Sequence, residues 1–123
     1  MVTIESIGDE GEQQALNYLQ KLGLKLVTRN FRQRGDEIDL IMQDDSTLVF
    51  IEVRLRQSAQ FGSALESVTH QKQQRLIKTV QYYLQQNVRQ YPAYRFDVIG
   101  ITPVSNDFKI NWVKDAFQLT NAS

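Results

Sequence analysis

Two short runs of strand-forming residues, separated by a turn, constrain the fold of this chain more than any other feature. Residues 37–43 and 47–54 are rich in aliphatic side chains, and the segment Asp44-Asp45-Ser46 between them is typical of a turn. A two-residue loop at 45–46 and a four-residue loop at 44–47 both give a β-hairpin with the same register. In that register Asp39 lies directly opposite Glu52, whereas an odd-length turn would place them on opposite faces.

The two faces of the predicted hairpin differ in character. One face is wholly apolar and is expected to be core: Ile38, Leu40, Met42, Val49, Ile51 and Val53. The other face carries charged residues amid two apolar ones: Glu37, Asp39, Glu52 and Arg54, with Ile41 and Phe50.

The opposed carboxylates of Asp39 and Glu52 predict a metal site. Directly opposed side chains have Cβ atoms about 4.5–5.5 Å apart, and like charges at that spacing destabilise a sheet. The pair therefore needs a cation, or one carboxyl must hold a proton at a raised pKa. Mg²⁺ or Mn²⁺ suits two carboxylates with water and phosphate oxygens. The alternative is a polar face that meets solvent, with Arg54 neutralising both acids.

The remaining elements follow from periodicity and from glycine and proline positions. Gly23 sits where a helix C-cap belongs, and Pro92 prevents the second helix from continuing. The order helix, three strands, helix, two strands predicts a mixed sheet with helices packed on it. At 123 residues the chain is expected to be one domain, 1–123. The predicted elements are a helix at 9–22, strands at 24–31, 37–43, 47–54, 94–102 and 107–113, a polar loop at 57–63, a helix at 64–87 with a break near Thr69, and a helical turn at Asp115–Leu119.

Composition narrows the classes of function. Hydrophobic residues make up 41% of the chain, and no apolar run approaches the ~18 residues that a membrane span needs. The N-terminus lacks the features of a signal peptide, so a cytoplasmic location is expected. With no cysteine and a single histidine, His70, a zinc site is not expected. No phosphate-cradling glycine-rich loop is present, so no small-molecule cofactor is expected.

The charge balance has two readings. The net charge is zero, which counts against a large non-specific grip on DNA. The basic residues are nevertheless unevenly placed, and this favours either a small nucleic-acid patch or a solvated charged face. They fall in two groups: Arg29, Arg32, Arg34, Arg54 and Arg56, then Lys72, Arg75 and Lys78.

Glu12 and Lys72 also have two readings each. Asp9 and Glu12 have the spacing of a helix capping box, but Glu12 could instead supply a third carboxylate to the hairpin acids. Lys72 lies at the border of the apolar stripe of the second helix. It is either a snorkelling lysine or a side chain that reaches an anionic substrate.

Several motifs together resemble the small bacterial YraN-like family. They are Gly8-x-x-Gly11-Glu12-x-x-Ala15, Arg29-Asn30-Phe31-Arg32, Glu37-Ile38-Asp39-Leu40-Ile41, Val49-Phe50-Ile51-Glu52-Val53-Arg54, Lys72-x-x-Arg75-Leu76 and Arg95-Phe96-Asp97-Val98. The YraN-like pattern is similar to that of Holliday-junction resolvases and the wider restriction-endonuclease-like superfamily. The resemblance implies a three-layer α/β/α fold around a mixed five-stranded sheet, in the order α-β-β-β-α-β-β.

The superfamily resemblance also implies roles for individual residues. Its signature is an acid followed, on the next strand, by acid-x-Lys; Asp39 and Glu52 match the acids, and Glu12 matches a further metal ligand on the first helix. Arg54 stands where the lysine belongs. Arginine can clamp a phosphate but cannot deprotonate near neutral pH, so the resemblance supports metal and phosphate binding more strongly than catalysis.

These roles predict metal-dependent hydrolysis of DNA phosphodiester bonds, with branched DNA among the candidate substrates. Mg²⁺ or Mn²⁺ would be held by Asp39 and Glu52 with help from Glu12, and Arg54 would bind the scissile phosphate. Junction resolution by a small domain would need a symmetric homodimer. A non-catalytic nucleic-acid-binding module and a protein-interaction domain are the alternatives. The expected backbone contacts are Arg29, Arg32, Arg34, Arg56, Lys72 and Arg75.

Overall fold

A computed structural model describes residues 4–57, 63–87 and 89–119. The predicted order of helices and strands is confirmed, and a short 3₁₀ helix precedes the second α-helix. No helix within these ranges is long and apolar enough to cross a membrane. The elements are α1 (Ile4–Lys21), β1 (Lys25–Gln33), β2 (Asp36–Asp44), β3 (Thr47–Leu55), the 3₁₀ helix (Ala64–Ser67), α2 (His70–Gln86), β4 (Ala93–Val104) and β5 (Asp107–Phe117).

The five strands form one mixed sheet in the order β1-β2-β3-β4-β5. Neighbouring strands are antiparallel except β3 and β4, which are parallel. A parallel pair needs a crossover connection, and the chain between β3 and β4 contains α2. The mixed sheet expected from the order of elements is therefore confirmed.

Apolar residues cover both faces of the sheet, which gives three layers. One cluster joins α1 residues such as Leu16 and Leu19 to Leu40 and Ile51 of the hairpin. The other joins α2 residues such as Leu76 and Val80 to Phe50. The α/β/α arrangement implied by the YraN-like motifs is thus present, with α1 on one face and α2 on the other.

The hairpin has the predicted register. Its loop is the two-residue turn Asp45-Ser46, and Asp45 adopts a left-handed backbone with φ of 52°. Leu40 pairs with Ile51 at the last paired position of the β2–β3 ladder. The next residues beyond that pair are Asp39 and Glu52, so the two acids stand where the strands separate.

The predicted apolar face of the hairpin is confirmed except at Ile38. Ile38 packs in the α2 cluster, whereas Leu40 packs in the α1 cluster, so the alternation of faces breaks at Asp39. Asn30, the neighbour of Asp39 on β1, has a left-handed φ of 55°. On the other face Ile41 and Phe50 are fully buried, and Glu52 is only 5% exposed. The reading in which this face meets solvent is therefore wrong for Glu52, whereas Glu37, Asp39 and Arg54 are half-buried.

Two boundary predictions are corrected, and a third cannot be compared with the structure. Helix α1 begins at Ile4 rather than at residue 9, so Asp9 and Glu12 lie inside the helix and form no capping box. Strand β5 continues to Phe117, which stacks on Phe96 with ring centroids 4.6 Å apart, so the predicted helical turn at Asp115–Leu119 is wrong. The predicted loop at 57–63 falls mostly outside the described residues.

Two helix-end predictions are confirmed. The break near Thr69 is present, because Thr69 is the N-cap of α2 and its side chain accepts a hydrogen bond from the Lys72 backbone N–H at 3.1 Å. Gly23 follows α1 with a φ of 98°, as a glycine C-cap should. Each cap fixes one end of a helix that contributes a side chain to the acidic end of the hairpin.

Candidate metal and nucleic-acid site

Three carboxylates from two elements converge at the end of the sheet where β2 begins. One carboxylate oxygen each from Glu12, Glu37 and Asp39 lies within 4.8 Å of the others. Glu12 comes from α1, and the other two come from β2. We call these three residues the acid cluster. The break of alternation at Asp39 explains how Asp39 and Leu40 can both contribute to the α1 side of the sheet.

Within the acid cluster, Asp39 is the residue that adjoins Glu52. Its Oδ2 accepts a hydrogen bond from the Val53 backbone N–H at 2.7 Å, which replaces a ladder contact between the separating strands. Burial, followed by the charge and hydrogen bond of the neighbouring Glu52 carboxyl, raises the pKa of Asp39 to about 9. The carboxyl therefore holds a proton at neutral pH unless a cation replaces it.

Glu52 brings two cations to the opposite side of Asp39. Its Oε2 lies 4.0 Å from the Lys72 Nζ and 3.9 Å from an Arg54 terminal nitrogen. Lys72 is therefore not merely a snorkelling side chain, because its ammonium reaches the acid of β3. The predicted pair of acids is brought together, and two of the predicted phosphate-binding residues lie beside it.

Glu12 is held among like charges. Burial raises its pKa, and the nearby charges of Asp39 and Glu37 raise it further. The Asn30 side-chain amide opposes this effect, because its Nδ2 donates to Glu12 at 2.8 Å and to Glu37 at 2.6 Å. Asn30 was not singled out as a site residue from the sequence, although it lies within one of the quoted motifs.

Arg54 is anchored rather than free to swing. Its Nε donates to the Ser67 Oγ at 3.3 Å and a terminal nitrogen donates to the Ser67 carbonyl at 3.1 Å. Ser67 itself donates to the Ala64 carbonyl, which ties the guanidinium to the 3₁₀ helix. Ser67 is the last residue of the 3₁₀ helix and lies 13 residues from Arg54, so no local pattern could have indicated this contact.

The other predicted basic residues lie around the same end of the sheet and make local contacts. Arg75 donates from Nε to Asp36 Oδ1 at 3.2 Å, and Arg32 lies 3.7 Å from Glu37. The remaining three occupy β1 and the strand ends: Arg29 donates to Gln13 at 3.1 Å, Arg34 is in the β1–β2 turn, and the Arg56 backbone N–H donates to Ile101.

The donor set of the acid cluster fits a hard divalent cation. Carboxylate oxygens are the ligands that Mg²⁺ and Mn²⁺ prefer, and three such oxygens lie within 4.8 Å of one another. The raised pKa values of Asp39 and Glu12 show that bringing these groups together is costly without a compensating charge. Glu37, which the sequence placed on this face without a metal role, joins Glu12 and Asp39, and Glu52 adjoins Asp39.

Comparison with known proteins identifies close relatives over most of the chain. The sequence pattern described as "Uncharacterised protein family UPF0102" matches residues 11–101. A UPF0102 protein of Nitrosococcus oceani is 49% identical over 113 residues, which cover 91% of each chain. One of Herminiimonas arsenicoxydans is 50% identical over 112 residues, covering 91% of this chain and 86% of the relative. One of Coxiella burnetii is 47% identical over 116 residues, covering 94% of each.

Proposed function

The chain belongs to the uncharacterised protein family UPF0102, as its YraN-like motifs predicted, and from its acid cluster we propose that it is a metal-dependent nuclease acting on DNA. The observation that carries this proposal is the convergence of Glu12, Glu37 and Asp39 beside the buried Glu52. Asp39, Glu12 and Glu37 would hold Mg²⁺ or Mn²⁺, and Glu52 would be a fourth carboxylate ligand.

When bound, the divalent ion would supply charge neutralisation and a Lewis acid at the scissile phosphate. The protein's own contribution is positional. Val53 and Asn30 fix the orientation of the carboxylates through hydrogen bonds at 2.6–2.8 Å. Because the pKa of Asp39 is raised, binding of the ion would displace the Asp39 proton and would offset the repulsion among the acids.

In the superfamily that this chain resembles, one lysine orients the attacking water and stabilises the charge on the phosphate. Here Arg54 and Lys72 would divide this task. The Arg54 guanidinium is anchored by Ser67, which suits it to clamp a phosphate without transferring a proton. The Lys72 ammonium lies 4.0 Å from Glu52 and supplies a lysine at this site from α2. Lys72 would orient the attacking water or stabilise the charge that develops on the phosphate.

A non-catalytic nucleic-acid-binding module is the second candidate, and one observation favours it. Both cations beside Glu52 are already engaged, Lys72 with Glu52 and Arg54 with Glu52 and Ser67. Such contacts keep a positive surface at the site even if no turnover occurs. The basic residues around the acids would then bind the DNA backbone independently of sequence.

A cleavage assay with matched variants tests the proposal. Single-stranded, duplex, forked and four-way-junction DNA would be incubated with Mg²⁺ or Mn²⁺ and the wild type, Asp39→Asn, Glu52→Gln or Glu10→Gln. Glu10 is an exposed acid on α1 two residues from Glu12 and serves as the control. We expect cleavage by the wild type and by Glu10→Gln. We expect a loss of at least about 100-fold in the other two variants, because the ion contributes several kcal/mol at the transition state.

Metal binding can be measured separately by thermal unfolding. An ion that binds only the native state raises its stability by about 2.7 kcal/mol at 100 times the Kd, so Mn²⁺ should raise the Tm of the wild type more than that of Asp39→Asn. Salt-sensitive DNA binding without metal-dependent cleavage would favour the binding module. Absence of both cleavage and DNA binding would favour a protein-interaction domain.

A further inference from the structure

A cavity of about 400 Å³ lies between α2 and the turn from β1 to β2, and Asp36 in its lining directly precedes Glu37 of the acid cluster in the sequence. Three cations and one carboxylate line it, and the carboxylate, Asp36, is paired with Arg75 at 3.2 Å. The cavity is therefore electropositive. Its lining residues are Gln33, Arg34, Asp36, Arg75, Lys78, Thr79 and Tyr82.

A row of side chains on one face of α2 leads from the cavity toward Glu52, which adjoins Asp39 of the acid cluster. Arg75, Lys78 and Tyr82 follow Lys72 at helical spacing, so they lie on the same side of the helix. Lys72 contacts Glu52 at one end of this row. At about 1.5 Å of rise per residue, Lys78 lies about 9 Å further along the axis. A nucleic-acid strand whose phosphate lies beside Lys72 can thus extend along this row of side chains toward the cavity.

Tyr82 gives the cavity an aromatic wall in a fixed orientation. Its ring lies 6.3 Å from that of Phe31, between centroids, and its hydroxyl accepts a hydrogen bond from Gln86 Nε2 at 2.7 Å. The ring is half-buried, lies beside Phe31 and lines the cavity. Aromatic rings held beside cations are the arrangement on which unpaired bases stack.

We propose that this cavity holds one unpaired nucleotide of the DNA substrate. The base stacks on Tyr82, and Arg34, Arg75 and Lys78 bind the adjoining phosphates. This inference rests on the proposed nuclease function and deepens it by naming the substrate class. A base in an intact duplex is stacked and cannot enter such a cavity without leaving the helix, at a cost in free energy. The site therefore selects single-stranded DNA or branched DNA with unpaired nucleotides over a blunt duplex.

The test measures binding without cleavage. A short fluorescently labelled DNA strand, and the blunt duplex of the same sequence, would be titrated with the whole protein in a chelator. The variants are Tyr82→Leu, which keeps apolar volume without a ring, Tyr82→Phe, which keeps the ring, and Lys78→Ala. Lys109→Ala is the matched control, because Lys109 is an exposed lysine on β5, the strand at the far edge of the sheet from β1.

We expect the wild type to bind the single strand more tightly than the duplex. Tyr82→Leu should weaken single-strand binding by about 10-fold and duplex binding by much less, and Tyr82→Phe should retain the wild-type affinity. Lys78→Ala should reduce the salt dependence for the single strand by about 0.7 in log–log slope, and Lys109→Ala should leave it unchanged.

Three outcomes would overturn the inference: equal affinities of Tyr82→Leu and Tyr82→Phe, equal losses on strand and duplex, or no binding of either DNA. The two proposals fail in different ways. If binding depends on Tyr82 but no metal-dependent cleavage occurs, the nuclease function is contradicted, and the assignment of the cavity to an unpaired nucleotide is retained. Metal-dependent cleavage that ignores both Tyr82 and unpaired nucleotides contradicts the cavity assignment alone.

Discussion

Two aspartates of the sheet, the buried Asp97 on β4 and the half-buried Asp39 on β2, differ in how their charge is compensated. Asp97 is fully buried, yet both of its oxygens receive donors. The Arg95 Nε lies 3.1 and 3.2 Å from the two oxygens, the Trp112 indole N–H donates at 2.9 Å, and the Asp115 backbone N–H donates at 2.9 Å. Arg95 also binds Asp44, so this buried carboxylate is part of a satisfied network.

Asp39 has a different environment. It accepts one backbone N–H and otherwise faces the carboxyls of Glu52, Glu37 and Glu12, and its pKa rises to about 9. The comparison teaches that burial of an acid does not by itself indicate function. Asp97 is a structural group because the fold supplies its cation, whereas the surroundings of Asp39 favour a cation from solution.

Removing Asp97 should have the largest effect on stability. Asp97→Ala leaves Arg95, whose side chain is 18% exposed, without its main partner. Breaking a buried ion pair on one side typically costs about 3–5 kcal/mol. We expect a loss of that size in the free energy of unfolding, measured by urea denaturation. The exposed Asp107→Ala on β5 should change it by less than about 0.5 kcal/mol, and a loss below about 1 kcal/mol in Asp97→Ala would contradict the structural role.

Substitution of Asp39 is expected to increase the free energy of unfolding, the opposite of the effect at Asp97, and the increase should depend on pH. The folded protein holds the Asp39 proton up to about pH 9, whereas the unfolded chain releases it near the ordinary pKa of 3.8. The folded state thus binds more protons between these values. Its stability should fall as the pH rises from about 4 to about 9 when metal is chelated. Asp39→Asn removes this titration and should be more stable than the wild type at pH 8.

The size of the Asp39 effect follows from how far burial and Glu52 raise its pKa. A tenfold change in the affinity of a carboxyl for its proton corresponds to about 1.4 kcal/mol. We therefore expect the free energy of unfolding of Asp39→Asn at pH 8 to exceed that of the wild type by about 1 kcal/mol or more. Urea denaturation in a chelator at pH 5 and at pH 8 measures this gain. Saturating Mn²⁺ should reduce the difference, because the ion takes the place of the proton in the wild type. A wild type whose stability rises over this pH range would show that Asp39 is compensated as Asp97 is.

The sequence predicted the part of this comparison that depends on local rules. The two-residue turn at Asp45-Ser46 fixed the hairpin register, and register placed Asp39 beside Glu52. The break at Asp39 was not predictable, because it accompanies the left-handed backbone of Asn30 on another strand. The contact of Lys72 with Glu52 and that of Arg54 with Ser67 depend on how α2 and the 3₁₀ helix pack on the sheet, which no short pattern encodes.

The start of α1 illustrates a second reason why some predictions from the sequence were wrong. Asp9 has the chemistry of an N-cap and follows a glycine, so the local signal favoured a helix beginning at residue 9. The helix instead begins at Ile4 and runs through both glycines. A Cβ at Gly11 would lie 3.7 Å from Leu55, so α1 passes close to β3 at this point. Tertiary packing here outweighs the local capping preference.

The smallest effect on stability is expected from substitution of Thr69. It should change the region around Lys72 and Glu52 and leave the region around Asp97 unchanged. Thr69→Ala removes the N-cap of α2 and should cost about 1 kcal/mol in the free energy of unfolding, whereas Thr69→Ser should retain most of it. Hydrogen exchange should rise in the first turn of α2 and not around Asp97. Since that turn carries Lys72, we expect cleavage to fall more than the loss of stability explains. Equal cleavage per folded molecule in Thr69→Ala and Thr69→Ser would mean that the position of Lys72 beside Glu52 does not matter to the reaction.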